Sequence, residues 1–225
     1  MDEATKTKAI WGDLEKRVIQ GRGIDIGCGP DPVAPDVRRF DVTDGDANCI
    51  TQHVHDEFDY VYSSHCLEHM HNPKAAIQEW WKLVRPGGHL IFAVPDEDLY
   101  EQGVFPSRFN PDHKATFTIS KAVSWSPVSH NVLDLARSLP QGELVSVALH
   151  DHHYDRTLCT FGPRRRPWLV PRFIIRVYRA LRRRGLRPIG WLNTFASQYY
   201  AVDQTMQPNV LAQIQCIVRK SAVRN

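Results

Sequence analysis

The sequence has no apolar run approaching the ~18 residues that a bilayer-spanning helix requires. Its first residues, MDEATKTKAIWGDLEKR, have no apolar core and so do not read as a signal peptide. Cysteine is scarce. Cys28, Cys49, Cys66, Cys159 and Cys216 are odd in number, scattered and never in a C-x-x-C pair. That pattern argues against a disulfide framework or a cysteine zinc site and fits a reducing cytoplasm. There is no internal repeat, no G-x-x-x-x-G-K-[ST] phosphate loop and no RNA-binding signature such as that of an RRM. Acidic residues are missing altogether between Arg164 and Arg187, where ten arginines fall.

What is present fits one globular domain over 1–225, with enough apolar residues to fill a sizeable core. The net charge is +3, so +10 between Arg164 and Arg187 leaves −7 for the rest. An acidic body with one basic segment points to a local patch for an anionic partner. It does not describe a protein that is basic throughout and made for nucleic acid.

Residues 4–19 read as a helix with Ile10, Leu14, Val18 and Ile19 on one face. Short apolar runs at Gly23–Ile26, Arg39–Val42, Ala47–Ile50, Phe58–Ser63 and Leu90–Val94 read as strands. Asn72 is a helix cap with Pro73 in the first position, the helix running to about Val84, where Pro86-Gly87-Gly88 ends it. Strands alternating with helices predict an α/β fold with a mostly parallel, Rossmann-like sheet. Beyond residue 95 the pattern predicts a loop over 96–117, a helix over 128–138, a strand over 143–149 and a closing strand near 211–219. The ~60 residues between those last two strands exceed a plain connection, so 158–208 is read as an inserted basic segment within the domain.

Chemistry concentrates at strand ends. Ile24-Asp25-Ile26-Gly27-Cys28-Gly29-Pro30 is a buried strand entering a glycine turn, and such ends are where open α/β sheets bind ligands. Asp41 ends the next strand, where a carboxylate can take both hydroxyls of a ribose. Gly45-Asp46-Ala47 follows, and its Asp could accept from an adenine amino group. Phe58-Asp59-Tyr60-Val61 leads into Ser64-His65-Cys66-Leu67-Glu68-His69, and Arg85-Pro86-Gly87-Gly88-His89-Leu90 completes the series.

In this order the motifs resemble those of class I methyltransferases with a Rossmann-like fold. The resemblance implies S-adenosylmethionine as cofactor and an antiparallel last strand. It also implies a cofactor site drawn from Asp25, Gly27, Cys28, Gly29, Asp41, Asp46, Ala47, Ser64 and His65. Another nucleotide is the competing ligand, but Pro30-Asp31-Pro32 replaces the third glycine and helix start of a dinucleotide fingerprint, leaving little for a pyrophosphate. Only 16 positions separate Asp25 from Asp41, and Pro30, Pro32 and Pro35 oppose helix there. The first crossover is therefore expected to be shortened to a loop or a single turn.

The rest of the chain is similar to a bacterial methyltransferase subgroup associated with sugar and cell-surface polysaccharide biosynthesis. The similarity rests on Val94-Pro95-Asp96, Leu99-Tyr100-Glu101, Pro106-Ser107-Arg108-Phe109-Asn110, Asp112-His113-Lys114 and Val202-Asp203-Gln204-Thr205. It implies O-methylation of a saccharide hydroxyl, on a glycan or its lipid-linked precursor. RNA or a small lipophilic acceptor is the alternative, and a cofactor-binding module without activity a third reading. Transfer to a hydroxyl calls for a base. His113 is the candidate, with His65 and His69 flanking the cofactor side and Asp96 able to orient a base or bind a sugar hydroxyl.

His150, Asp151, His152, His153 and Asp155 offer metal-ligand chemistry, but alternate strand side chains point to opposite faces, so no metal site is assigned there. In 168–184 (WLVPRFIIRVYRALRRR), Phe173, Ile174, Val177, Tyr178 and Leu181 form a helical stripe with arginines opposite. Such a helix suits peripheral binding at the inner face of an anionic membrane, or packing of the stripe on the protein's own core. Nucleic acid is the weaker partner for it.

Overall fold

The computed structural model of the chain describes residues 3–119, 121–159, 161–162, 169–184, 190–197, 199 and 201–222. Trp168 and the arginines at 164–166 and 187 lie outside the described residues.

Six strands build the main sheet: β1 (Gly23–Ile26), β2 (Arg38–Phe40), β3 (Phe58–Ser64), β4 (Val84–Pro95), β7 (Gly142–His150) and β8 (Gln213–Lys220). Their spatial order is β2-β1-β3-β4-β8-β7. The pairs β1–β2, β1–β3 and β3–β4 are parallel, and β8 runs against both β4 and β7. The last strand is thus the antiparallel one. A small parallel pair, β5 (Thr116–Thr118) and β6 (Ser129–Asn131), lies outside this sheet.

Apolar residues cover both faces. On one, α3 (Pro73–Lys82) and α4 (Val132–Arg137) bury Ile77, Trp80 and Leu135 against Ile24, Ile26, Val61 and Phe92 of the strands. On the other, Ala4 of α1 (Glu3–Lys8) and Val18 of α2 (Asp13–Val18) pack with Tyr62 and Ile217. The first crossover has no helix at all between Ile26 and Arg38. Val33 and Val37 of that proline-rich loop enter the same cluster, so two loop side chains provide the apolar cover a crossover helix would give.

Several expected elements differ, each for a local reason. The single helix over 4–19 is two short ones, because Gly12 takes an extended N-cap conformation and its N–H donates to Glu15 Oε2 at 3.0 Å. Ala47–Ile50 is not a strand. Asp46 accepts from the Asn48 amide and side chain and opens a 3-10 turn over Ala47–Gln52. Asn131 likewise caps α4 through Leu133, so that helix starts at Val132 and not at 128. The 96–117 loop contains a π-helical turn, Glu97–Glu101, and ends in β5. Asn72 does cap α3, accepting from Ala75 N at 3.1 Å with Pro73 following. The helix stops earlier than expected, at Lys82 with Leu83 as its C-cap, and Pro86-Gly87-Gly88 does not end it but lies within the irregular start of β4, where a Cβ on Gly88 would stand 2.7 Å from the Asp59 carbonyl.

The basic segment holds α5 (Leu169–Arg183) and α6 (Gly190–Ser197). Its apolar stripe is split. Tyr178 is buried with Leu192 of α6 and Val202, and Ile174 and Leu181 pack beside them. Phe173 and Val177 face outward, 69% and 40% exposed, among exposed Arg172 and Arg176. The stripe is therefore partly a core face. No described helix is long and apolar enough to cross a membrane.

Candidate active site

The carboxyl ends of β1 to β4 open into adjoining cavities, the place where an open α/β sheet binds ligands. A cavity of about 640 Å³ is lined by Gly27, Asp41, Asp46, Ala47, His65 and Cys66 among others. A second, of about 190 Å³, shares Gly27 and adds Asp25, Cys28, Gly29, Asp31 and Ser64. A third, of about 210 Å³, is lined by His65, Glu68, His69, Tyr100, Asn110 and His113, and also by Thr205 and Gln213. His65 and His69 line both the cavity of about 640 Å³ and the third, so they form the wall where the two meet.

Gly27 has a φ of +74°, and a Cβ there would lie 2.7 Å from Cys66 Cβ and Sγ. Only glycine allows the backbone to turn that closely beneath the cavity. Asp41 Oδ2 accepts from Gly29 N at 2.7 Å and Oδ1 from Val42 N at 2.7 Å, so the strand end and the glycine turn brace each other. Arg39 adds a donor to the Gly29 carbonyl at 2.7 Å. Asp46 is exposed at the rim, and its bonds to Asn48 hold its carboxyl below the usual range.

Asp25 is buried beneath the turn. One oxygen accepts from Val33 N at 2.7 Å, and the other has no partner. Burial pushes its pKa from 3.8 to about 7, against the pull of the Val33 amide. An orphaned buried carboxylate oxygen, a close approach at Gly27, a left-handed Gly29 and two acidic residues at the next turn suit an adenosine with a cationic amino-acid tail. They offer no phosphate cradle.

His113 comes from the segment between the π-helical turn and β5. Its Nδ1 lies 2.7 Å from Glu101 Oε1, and its ring stacks on Tyr100 with centroids 5.2 Å apart. The His69 ring meets it edge-on at 5.0 Å. Glu101 is therefore placed to hold the Nδ1 proton and leave Nε2 facing the third cavity, 4.0 Å from Glu68 Oε1. Glu68 is 1% exposed, and neither of its carboxylate oxygens has a hydrogen-bond partner of ordinary geometry.

His65 follows β3 with a left-handed φ of +54°, a conformation non-glycine residues keep at constrained sites. Its Nε2 lies 2.9 Å from Gln213 Oε1 and its Nδ1 3.4 Å from Glu68 Oε1. Burial alone would lower its pKa, but Glu68 and then Glu3 outweigh burial and push it up to about 9. Burial works against the charge of Glu68, but His65 first, and then His113 and His69, outweigh it and hold Glu68 below its ordinary value. Both ring nitrogens of His65 are thus turned to protein partners, Gln213 and Glu68, at the cavity wall.

Asp96 does not line any of the three cavities. Its Oδ1 accepts from Asp98 N and Leu99 N and caps the π-helical turn that carries Tyr100 and Glu101, so of its two expected roles, orienting a base or binding a sugar hydroxyl, this geometry suits the first. In the histidine-rich stretch after β7, Asp151 pairs with Arg156 at 2.5 Å and Asp155 caps the turn Arg156–Leu158. Sequence reasoning gave no role to Glu68 or Glu101. The signal available for Glu68 was an acid inside an apolar Cys-Leu-Glu-His-Met run. Glu101 gave none, because its partner lies twelve residues away.

Over residues 7–157 the sequence matches the family described as a methyltransferase domain. The chain belongs to this methyltransferase family. It is an S-adenosylmethionine-dependent enzyme. Proteins of curated function include no significant match. Among solved structures the methyltransferase is similar to a SAM-dependent methyltransferase from Thermotoga maritima, with 15% identity, a TM-score of 0.47 and coverage of 98% of this chain and 88% of that one. The YcgJ protein of Bacillus subtilis matches at 13% identity and TM-score 0.46, over 94% and 97%. Phosphoethanolamine N-methyltransferase 2 of Haemonchus contortus, in complex with S-adenosyl-L-methionine, matches at 13% and 0.46, over 97% of this chain and 56% of that one.

Proposed function

We propose that the enzyme methylates a hydroxyl of a saccharide, on a cell-surface glycan or its lipid-linked precursor. The observation that carries this reading is the buried His113–Glu101 pair beside the cofactor cavity. A neutral amine already has a lone pair to offer, whereas a hydroxyl must lose its proton near the transition state, so a positioned base favours a hydroxyl acceptor. The third cavity is rich in hydrogen-bonding groups, with Glu3, Glu68, Asn110, Thr205 and Gln213, as a polyhydroxylated acceptor requires.

In this reading Asp41 takes the ribose hydroxyls, Asp46 and Ala47 lie by the adenine, and Asp25, Gly27, Cys28, Gly29 and Ser64 surround the amino-acid end. Bound there, S-adenosylmethionine would supply an electrophilic methyl on its sulfonium: the acceptor oxygen gives its pair to that carbon, and the carbon–sulfur pair stays on sulfur, leaving S-adenosylhomocysteine. His113 Nε2 takes the hydroxyl proton, and Glu101 stabilises the imidazolium that results. His65 and His69 form the wall through which the two ligands meet.

We further propose that the enzyme works in the cytoplasm, at the inner membrane face. Phe173, Val177 and Trp191 are exposed apolar side chains in the basic segment, and Arg172 and Arg176 stand exposed beside the first two. Arginines attract anionic headgroups while such side chains enter the interface. The test of the acceptor class is S-adenosylhomocysteine formation with saccharide alcohols against amine acceptors of similar size. Turnover restricted to amines overturns the hydroxyl reading.

A further inference from the structure

We propose that Glu68, His69 and His113 form a binding site for a divalent transition-metal ion whose open positions take the acceptor hydroxyl. Each residue offers one donor atom, and the three donors lie within 4.8 Å of one another. Bonds of ~2.1 Å from one ion place its donors ~3–4 Å apart, so small side-chain rotations close the set. Glu68 Oε1 and His113 Nε2 are already 4.0 Å apart.

Three observations point to an ion and not merely to a polar cluster. Glu68 is 1% exposed, yet both of its oxygens are without a hydrogen-bond partner of ordinary geometry. The imidazoles beside it, His65 at 3.4 Å and His113 at 4.0 Å, stand outside ordinary hydrogen-bond geometry, so a buried carboxylate is left short of the close partners that a bound cation would supply. Both histidines are held by their Nδ1 atoms, His113 by Glu101 Oε1 at 2.7 Å and His69 by the Asp112 carbonyl at 3.3 Å. That outer arrangement fixes the tautomer and presents each Nε2 to an ion. The cluster also stands where the acceptor cavity meets the cofactor cavity, since His69 lines both. An ion there would hold an acceptor oxygen beside the methyl donor.

Two imidazoles and one carboxylate select a zinc-, cobalt- or manganese-like ion over magnesium, which prefers oxygen ligands and water. His65 Nδ1 stands 3.4 Å from Glu68 Oε1, on the edge of the proposed site. The inference rests on the hydroxyl-acceptor reading and changes one step of it. With the ion bound, His113 is a ligand, and the acidified hydroxyl loses its proton to water. The oxygen–methyl bond still forms as the carbon–sulfur bond breaks towards sulfur.

The experiment strips the full-length protein with EDTA and titrates it by calorimetry with Zn2+ and, separately, Co2+. One equivalent should bind. Glu68→Gln, which keeps the shape of the buried side chain, and His69→Ala, at a half-buried position, should each weaken binding by at least roughly 100-fold. Glu101→Gln keeps all three ligands but loosens His113, and should cost about 10–100-fold, the range for outer-sphere partners. His71→Ala, at an exposed histidine outside the cluster, should change nothing. Methyl transfer to a hydroxyl acceptor should stop in EDTA and return with the ion. Binding unchanged in Glu68→Gln and His69→Ala, or full turnover in EDTA, overturns the metal site and leaves His113 as a base. Turnover unaffected by His113→Ala overturns the hydroxyl-activation reading itself.

Discussion

His113 Nδ1 and Glu101 Oε1 lie 2.7 Å apart, both side chains buried, at the end of the cavity that adjoins the cofactor site. Removing the imidazole should slow methyl transfer by roughly 10²–10⁴ and leave cofactor affinity nearly intact, the usual size of general-base assistance. Single-turnover rates of His113→Ala within threefold of the parent would make the residue a packing element only.

Asp41 should matter to binding and not to the chemical step. Its carboxylate already braces the glycine turn through Gly29 N, and in the proposed pose it also meets the ribose. Asp41→Ala should weaken S-adenosylmethionine binding by roughly 1.5–3 kcal/mol, the range for hydrogen bonds to a charged group. Calorimetry with unchanged affinity moves the ribose contact elsewhere.

Gly27→Ala introduces a Cβ 2.7 Å from Cys66 at a φ of +74°. A non-glycine residue held there costs of order 1–3 kcal/mol before the clash is counted. Denaturant titration should show lower stability, and the variant should bind cofactor poorly even where it remains folded. Stability equal to the parent contradicts the close approach described for the turn.

Asp25 gives a pH signature. Its folded pKa is raised from 3.8 to about 7, so the fold prefers the protonated acid. Below about 4 both states are protonated and nothing is lost. As pH rises towards 7 the unfolded chain ionises first, and the protein should lose up to about 3–4 kcal/mol from this residue alone, at 1.36 kcal/mol per pKa unit. Comparing the stability–pH profiles of the parent and Asp25→Asn isolates that loss. Parallel profiles between pH 4 and 7 refute the assignment.

The basic segment makes a separate prediction. Replacing Arg172 and Arg176 with Gln, together with Phe173→Ser and Val177→Ser, changes only exposed side chains. Cosedimentation with anionic vesicles at low salt should disappear while turnover on a soluble acceptor persists. A parent protein that ignores such vesicles overturns the membrane reading.

Local chemistry was readable from the chain. The Asp25–Gly29 turn, the Asn72-Pro73 helix start and the proline-rich first crossover are each set by neighbouring residues, and the sheet follows from their order. Where a side chain outvoted the apolar pattern, the sequence misled. Asp46 turned an expected strand at Ala47–Ile50 into a 3-10 turn, and Asn131 moved the start of α4 from 128 to Val132. Periodicity on α5 could not tell Tyr178, which packs inward, from Val177 beside it, which does not. The pairing of Glu101 with His113 and the approach of Glu68 depend on how three segments fold over β3 and β4, which no local pattern encodes.

The central claim is transfer of a methyl from S-adenosylmethionine to an acceptor oxygen at the His113 cavity. Incubating the enzyme with methyl-deuterated S-adenosylmethionine and a saccharide acceptor, then analysing both products by mass spectrometry, tests it directly. The account predicts one deuterated methyl ether per S-adenosylhomocysteine formed, with the yield falling by roughly 10²–10⁴ in His113→Ala. Label appearing on nitrogen, or equal yields from parent and variant, would contradict it.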